Sequence, residues 1–147
     1  MKTISVSIAE VELVAFRLAR ALLKYNEPIP DFSSRFPNVL ESCLVTPFQE
    51  FGGKYLYAGL VRKASVLFYL LIKNHPFQNG NKRIAMMATL YLLHKNGKWL
   101  EADNQALYNF ARWVAASDPS VKDATIQATE KFIGDHLVEA AEKLPDR

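Results

Sequence analysis

The chain has 147 residues, half of them hydrophobic, and a formal net charge of +3. This length and composition suffice for one domain with its own core, so we expect a single domain over residues 1–147. The small charge, spread over interspersed basic and acidic residues, argues against a nucleic-acid-binding protein. Cys43 is the only cysteine, which excludes an internal disulfide and a cysteine-type zinc site.

Hydropathy gives no sign of a membrane protein. No segment has the roughly 20 uncharged apolar residues of a transmembrane helix, and the first residues lack the pattern of a signal peptide. We therefore expect a cytoplasmic protein without a membrane partner. The histidines His75, His94 and His136 are far apart and show no paired spacing with carboxylates, so no histidine zinc site is predicted.

The N-terminal third predicts two helices. Ser7 and Glu10 have the spacing of a capping box, so a first long helix should start near Ser7 and stop before the prolines of residues 27–30. A second, short helix should begin at Pro37, which suits a first helical turn, and run through Leu44.

A glycine pair interrupts the helical pattern in the next segment. Phe48 to Tyr55 combines aromatic residues with Gly52-Gly53, which predicts a small hairpin or an open loop. Apolar residues then recur at helical spacing from about Tyr57 to Asn74, which predicts an amphipathic or largely buried helix.

Three further helices complete an all-α prediction. One should follow the polar turn at residues 78–80 and end before Gly97. The others are expected at Asn104 to Ala116 and from Pro119 to about Glu142. Strand signals are nearly absent.

The turn between the two central helices carries residues suited to chemistry. His75 can accept a proton near neutral pH, Pro76 stiffens the chain beside it, and Phe77 can anchor it in the core. Asn79-Gly80-Asn81 can form a backbone nest for phosphate at a helix N-terminus, where Lys82 and Arg83 add cationic donors. An ordinary polar turn with solvated basic residues is the alternative.

The segment His75-Pro76-Phe77-Gln78-Asn79-Gly80-Asn81-Lys82-Arg83 resembles the signature of the Fic/Doc family. The resemblance, over about residues 38 to 116, implies an all-α helical bundle in which a mobile hairpin, the flap, precedes this catalytic loop of residues 75–83. The flap position falls at about residues 46–56. The implied enzyme is a transferase that uses ATP or another nucleoside triphosphate, with Mg²⁺, to modify a hydroxyl of a target protein.

The resemblance also implies residue roles. His75 would deprotonate the target hydroxyl, and Gly80, Asn81, Lys82 and Arg83 would bind the nucleotide phosphates. Asn79 stands where the family usually has an acidic magnesium ligand, and a neutral amide is a weaker ligand for this cation. The flap, with Phe51, Gly52, Gly53 and Lys54, would bind the target.

The motif departs from the commonest Fic pattern towards that of Doc toxins. Lys82 occupies a position that is usually glycine, and Met86 replaces a second arginine. Doc-type toxins resemble Fic enzymes but act as kinases, and their known kind of target is translation elongation factor Tu, whereas ordinary Fic enzymes transfer AMP. Because Pro76 and Gly80 are more typical of Fic proteins, the transferred group stays open, and an inactive binding module is a third alternative.

The sequence lacks a clear copy of the inhibitory helix found in some Fic proteins. Its pattern needs a Ser or Thr, three residues, and then Glu followed by Gly or Asn; Glu10 and Glu130 both fail this spacing. Control by a separate antitoxin protein is therefore expected. The sequence does not determine the oligomeric state.

Overall fold

The computed structural model describes residues 3–13 and 32–140. Within these ranges the chain is helical apart from two small antiparallel sheets, so the predicted all-α fold is confirmed. None of the helices in the described ranges is long and apolar enough to cross a membrane.

The elements follow one another in a simple order. The helices are α1 (Ile8–Leu13), α2 (Pro37–Val45), α3 (Leu60–Lys73), α4 (Asn81–Lys95), α5 (Asn104–Ala116) and α6 (Lys122–His136). The strands are β1 (Glu50–Phe51), β2 (Lys54–Tyr55), β3 (Lys98–Leu100) and β4 (Leu137–Glu139). Short 3-10 turns lie at Phe32–Ser34, Thr46–Phe48 and Pro119–Val121.

Helices α3 and α4 form the centre of the molecule. Every residue from Lys63 to Ile72 is buried, as is most of α4, because α5 and α6 both pack against α3 and α5 also packs against α4. A helix that is covered on nearly all sides needs apolar residues around most of its circumference. The two helices therefore provide a rigid support for the loop that joins them.

The N-terminal capping box is confirmed. The Ser7 backbone N–H donates to Glu10 Oε1 at 2.9 Å, and the Glu10 N–H donates to Ser7 Oγ at 3.2 Å. Lys95 Nζ also donates to Glu10 Oε1 at 2.8 Å, which attaches α1 to the C-terminal end of α4. The rest of the predicted first helix and the prolines at 27–30 lie outside the described residues.

Most other boundaries agree with the sequence prediction within a few residues. Helix α2 runs one residue beyond Leu44, and α5 spans Asn104–Ala116 as predicted, with Asp103 capping it by accepting the Ala106 N–H at 2.7 Å. Helix α3 begins at Leu60 rather than Tyr57, because Gly59 precedes it with a positive φ of 86° that an α-helix does not accommodate.

The C-terminal helix prediction was wrong at its end. Helix α6 stops at His136, not near Glu142, and the next three residues form β4, which pairs antiparallel with β3. Trp99 lies opposite Val138 in this sheet, and Leu100 is buried. The backbone groups of β3 need hydrogen-bond partners, and pairing with residues distant in sequence supplies them.

Candidate active site

The loop that joins α3 to α4 holds His75 in an unusual backbone conformation. His75 has a φ of 50°, and among the described residues it is the only non-glycine residue with a positive φ. Such a conformation costs free energy and persists where the surroundings enforce it, often at functional sites. The His75 side chain is exposed to solvent.

The side chain of Asn81 closes this loop from the first turn of α4. Its Oδ1 accepts the Phe77 N–H at 3.1 Å, and its Nδ2 donates to the Phe77 carbonyl oxygen at 2.8 Å. The same Nδ2 lies 3.4 Å from His75 Nδ1. Asn81 therefore fixes the path of the loop and contacts the imidazole.

This contact bears on which nitrogen of His75 carries a proton. A neutral imidazole has one donor and one acceptor nitrogen. Asn81 Nδ2 is a donor, so this contact is a hydrogen bond in the tautomer whose Nδ1 accepts and whose proton lies on Nε2. Proton acceptance at Nε2 therefore requires the other tautomer, and the 3.4 Å contact is long enough to be weak.

Pro76 and Phe77 attach the loop to the segment before α2. Phe77 is 1% exposed, and its ring centre lies 5.9 Å from that of Phe32. The Pro76 carbonyl oxygen accepts the Phe36 N–H at 2.8 Å. The predicted inward anchor at Phe77 is thus present, and it holds His75 in place.

The end of α3 is fixed to its neighbours directly before His75. Lys73 Nζ donates to the carbonyl oxygens of Ala115, at 3.2 Å, and Ser117 at the end of α5. Asn74 hydrogen-bonds Cys43 of α2, and burial raises the pKa of the Cys43 thiol to about 11 despite this bond. Cys43 is therefore protonated near neutral pH and is not a nucleophile.

The N-terminus of α4 is suited to bind an anion. Gly80 precedes it in the left-handed conformation, with a φ of 72°, and no side chain caps the helix. The first turn contains no acidic residue. A helix N-terminus has a partial positive charge and outward-pointing N–H groups, so phosphate is favoured at this position.

A cleft of about 270 Å³ is lined by five of the six site residues that were predicted in the catalytic loop. Its lining residues are Ile72, His75, Gln78, Asn79, Gly80, Asn81, Lys82 and Ala115. His75 and the N-terminal end of α4 therefore open onto the same space. Arg83 does not line this cleft and is 8% exposed, so its predicted contact with phosphate stays a prediction.

The cleft provides few oxygen ligands for a metal ion. Its lining includes the amides of Gln78 and Asn79 but no carboxylate. Within the described residues no group of three or more His, Cys, Asp and Glu side chains could hold a metal. A magnesium ion fits this site if phosphate oxygens supply most of its ligands and Asn79 supplies an amide oxygen.

The flap is a separate and exposed feature. Strands β1 and β2 pair as Phe51 opposite Lys54, joined by Gly52 and Gly53 with φ of 61° and 79°. These angles suit a type I′ hairpin turn, so the predicted hairpin is present. Phe51 is 79% exposed, and none of the four residues lines the cleft. Their role in target binding stays a prediction.

Sequence reasoning missed the structural support of the site. The hydrogen bonds by which Asn81 braces the loop at Phe77 were not predicted, while its predicted contact with phosphate stays a prediction. Lys73 and Ala115 gave no local signal, because they meet only when α3 and α5 pack. The i to i+4 spacing of Phe77 and Asn81 could have suggested the brace.

Comparison with known families agrees with this geometry. The model of the Fic/DOC family matches residues 10–93, which is more than half of the chain; the match starts before residue 38 and ends before residue 116. No curated protein and no solved structure matched the chain significantly. Members of the family are typically transferases that move nucleotidyl or phosphoryl groups from nucleoside triphosphates, generally with a metal. The chain belongs to the Fic/Doc family.

Proposed function

We propose that this protein is a Doc-like toxin that transfers the γ-phosphoryl group of ATP or another nucleoside triphosphate to a hydroxyl of a target protein. The observation that carries the proposal is that His75 and the uncapped N-terminus of α4 line one cleft. A proton acceptor and an anion site are the two protein elements that this reaction needs most.

The reaction balances as a displacement at phosphorus. The hydroxyl gives its proton to His75 Nε2 in the tautomer that carries the ring proton on Nδ1, and the hydroxyl oxygen forms a bond to the γ-phosphorus. The bond between the γ-phosphorus and the bridging oxygen breaks, and the nucleoside diphosphate leaves. The N-terminus of α4 and Lys82 stabilise the negative charge of the phosphates, while the braced loop positions the base.

Two residues favour phosphoryl over AMP transfer. Lys82 lines the cleft and adds a positive charge and bulk where the ordinary motif has glycine. Met86 is 2% exposed and faces the core beside Phe68 and Phe110, so it supplies no phosphate clamp. Lysine binds phosphate as a point charge and cannot replace a bidentate arginine. We therefore expect a reversed nucleotide with its γ-phosphorus near His75.

Regulation by a separate antitoxin is part of this proposal. Glu10 accepts hydrogen bonds from Lys95 and the Ser7 N–H. Glu130 Oε2 lies 3.4 Å from Arg62 Nε. Neither glutamate lines the cleft, so neither serves as an internal block of the nucleotide site. We expect the target, for example a translation factor, and the antitoxin to be cytoplasmic proteins.

The transferred group can be identified with labelled nucleotide. The purified protein is incubated with bacterial lysate, Mg²⁺ and ATP labelled at either the α- or the γ-phosphate. Protein labelling from γ only supports the kinase, whereas labelling from α would reassign the protein as a Fic-type AMP transferase. Nucleotide binding without protein labelling would indicate the third candidate, a binding module impaired by Asn79, which lines the cleft without a carboxylate.

A further inference from the structure

Lys63 is a buried lysine that the proposed chemistry does not use. It lies in the first turn of α3 and is 1% exposed. Within the described residues, no carboxylate lies within ion-pair distance of its amine. Burial of an ammonium group without a counter-ion is unfavourable and lowers the pKa of Lys63. Its position therefore requires compensating contacts.

Those contacts come from both ends of the flap. Lys63 Nζ lies 3.9 Å from the ring centre of Tyr55, in β2, and 5.9 Å from that of Phe48, which precedes β1. It also donates to the carbonyl oxygen of Tyr57, where the chain leaves the hairpin. One amine thus joins the chain entering the hairpin to the chain leaving it.

The hairpin depends on such external support. Strands β1 and β2 have two residues each, and isolated two-stranded hairpins are marginally stable in water. The exposed Phe51 at the tip contributes no packing. The clamp at Lys63 therefore fixes the direction in which the hairpin leaves the body of the protein.

The same helix carries both Lys63 and the catalytic end of the site. Helix α3 runs without interruption from Leu60 to Lys73, two residues before His75. At 1.5 Å per residue, Lys63 lies roughly 15 Å along this axis from Lys73, where the helix ends. A hairpin clamped to Lys63 is consequently held in a fixed position relative to His75.

We propose that Lys63 is a positioning residue that aligns the flap with His75, so that a target hydroxyl presented by the flap reaches the cleft. The inference rests on the proposed function, because it assumes that the flap binds the protein substrate. It goes beyond that function by assigning this alignment to a buried cation outside the motif.

Lys63→Met tests the inference, because methionine fills similar apolar space without the charge. We expect the Leu56 N–H, which donates to the Gln49 carbonyl oxygen across the hairpin, to exchange its hydrogen about tenfold faster. We expect KM for the protein target to rise about tenfold, and kcat and the Kd for nucleotide to change less than about twofold. Lys122→Met is the matched control, since Lys122 also lies over a ring, Tyr69, at 5.8 Å, but far from the flap in sequence.

A second variant keeps the test valid if Lys63→Met folds poorly. Tyr55→Leu removes the aromatic partner and should raise exchange and KM similarly, and the double variant should be no worse than either single variant. Unchanged Leu56 exchange in the variants, or an equal loss of nucleotide affinity, would overturn the inference. If the wild-type protein labels no target, the proposed function fails, while the exchange experiment still decides whether Lys63 holds the flap.

Discussion

The catalytic loop and the flap are stabilised in opposite ways. The loop is held along its length, by the buried Phe77 ring, by the side chain of Asn81 and by the bond from Phe36 to Pro76. The flap is held at its base, by Lys63 and by packing of Phe48 and Tyr57 against the core, and its tip is exposed. Chemistry requires a fixed geometry at the reacting atoms, whereas a surface that binds a polypeptide can remain adaptable.

This comparison predicts the largest effect for His75→Ala. Removal of a general base lowers the transfer rate by about 10²- to 10⁴-fold, while nucleotide affinity and the midpoint of thermal unfolding stay close to wild type, because His75 is exposed. The transfer rate is measured with labelled phosphate, and nucleotide affinity and the unfolding midpoint are measured by calorimetry. His136→Ala is the control, since His136 packs against the Phe132 ring at a tilt of 36° and does not line the cleft. A comparable loss of nucleotide affinity would contradict the role of His75 as base.

Asn81→Ala should break the brace of the loop. The Phe77 N–H and carbonyl oxygen lose their partners at a buried residue, so the free energy of unfolding should fall by about 1–3 kcal/mol. Urea unfolding measures this change. Asn109→Ala is the control, because the exposed Asn109 side chain accepts a hydrogen bond from the neighbouring Gln105 amide. Its loss should change the free energy of unfolding by less than about 0.5 kcal/mol. Equal effects would mean that Asn81 is not a structural brace.

Replacement of Gly52-Gly53 by Pro-Pro tests the flap tip. Proline cannot adopt the positive φ of 61° and 79° found there, so the hairpin should open. Modification of the protein target should fall about tenfold, as for the loss of one or two hydrogen bonds, with little change in nucleotide affinity. Gly134→Ala, at an exposed position of α6, is the control. Unchanged protein modification would exclude the flap from target binding.

Asn79→Asp should lower the Mg²⁺ concentration that transfer requires. A carboxylate at this exposed position adds roughly 1 kcal/mol of attraction for Mg²⁺, so the half-maximal Mg²⁺ concentration for transfer should fall about fivefold. Gln78→Glu adds the same charge at the adjacent cleft residue and serves as the matched control. Superimposable magnesium titrations of wild type and Asn79→Asp would show that Asn79 does not contact the metal.

The smallest effect concerns pH and Lys63. Its folded pKa is lowered below the ordinary 10.5 because burial disfavours the charged amine. Between the lowered value and 10.5 the unfolded chain binds more protons, so the contribution of Lys63 to stability rises with pH in that window. The unfolding free energy of wild type relative to Lys63→Met should increase with pH between the lowered pKa and 10.5. A constant difference would contradict the lowered pKa.

Local patterns in the sequence predicted the features that depend on neighbouring residues. The capping box of Ser7 and Glu10, the start of α2 at Pro37 and the glycine turn of the flap each follow from side chains within four residues of one another. The loop motif placed His75 between two buried helices for the same reason, since helical spacing on both sides is a local property.

Contacts between distant residues could not be predicted in this way. Strand β4 forms because its backbone pairs with that of β3. Lys63 is buried because the aromatic rings of Phe48 and Tyr55 in the flap lie over its amine. No periodicity distinguishes such a lysine from a solvated one. The residue types of the site and the course of its helices were thus determined by sequence alone. The shared cleft and the clamp at Lys63 were decided by packing, because contacts between separate elements form only when the helices assemble.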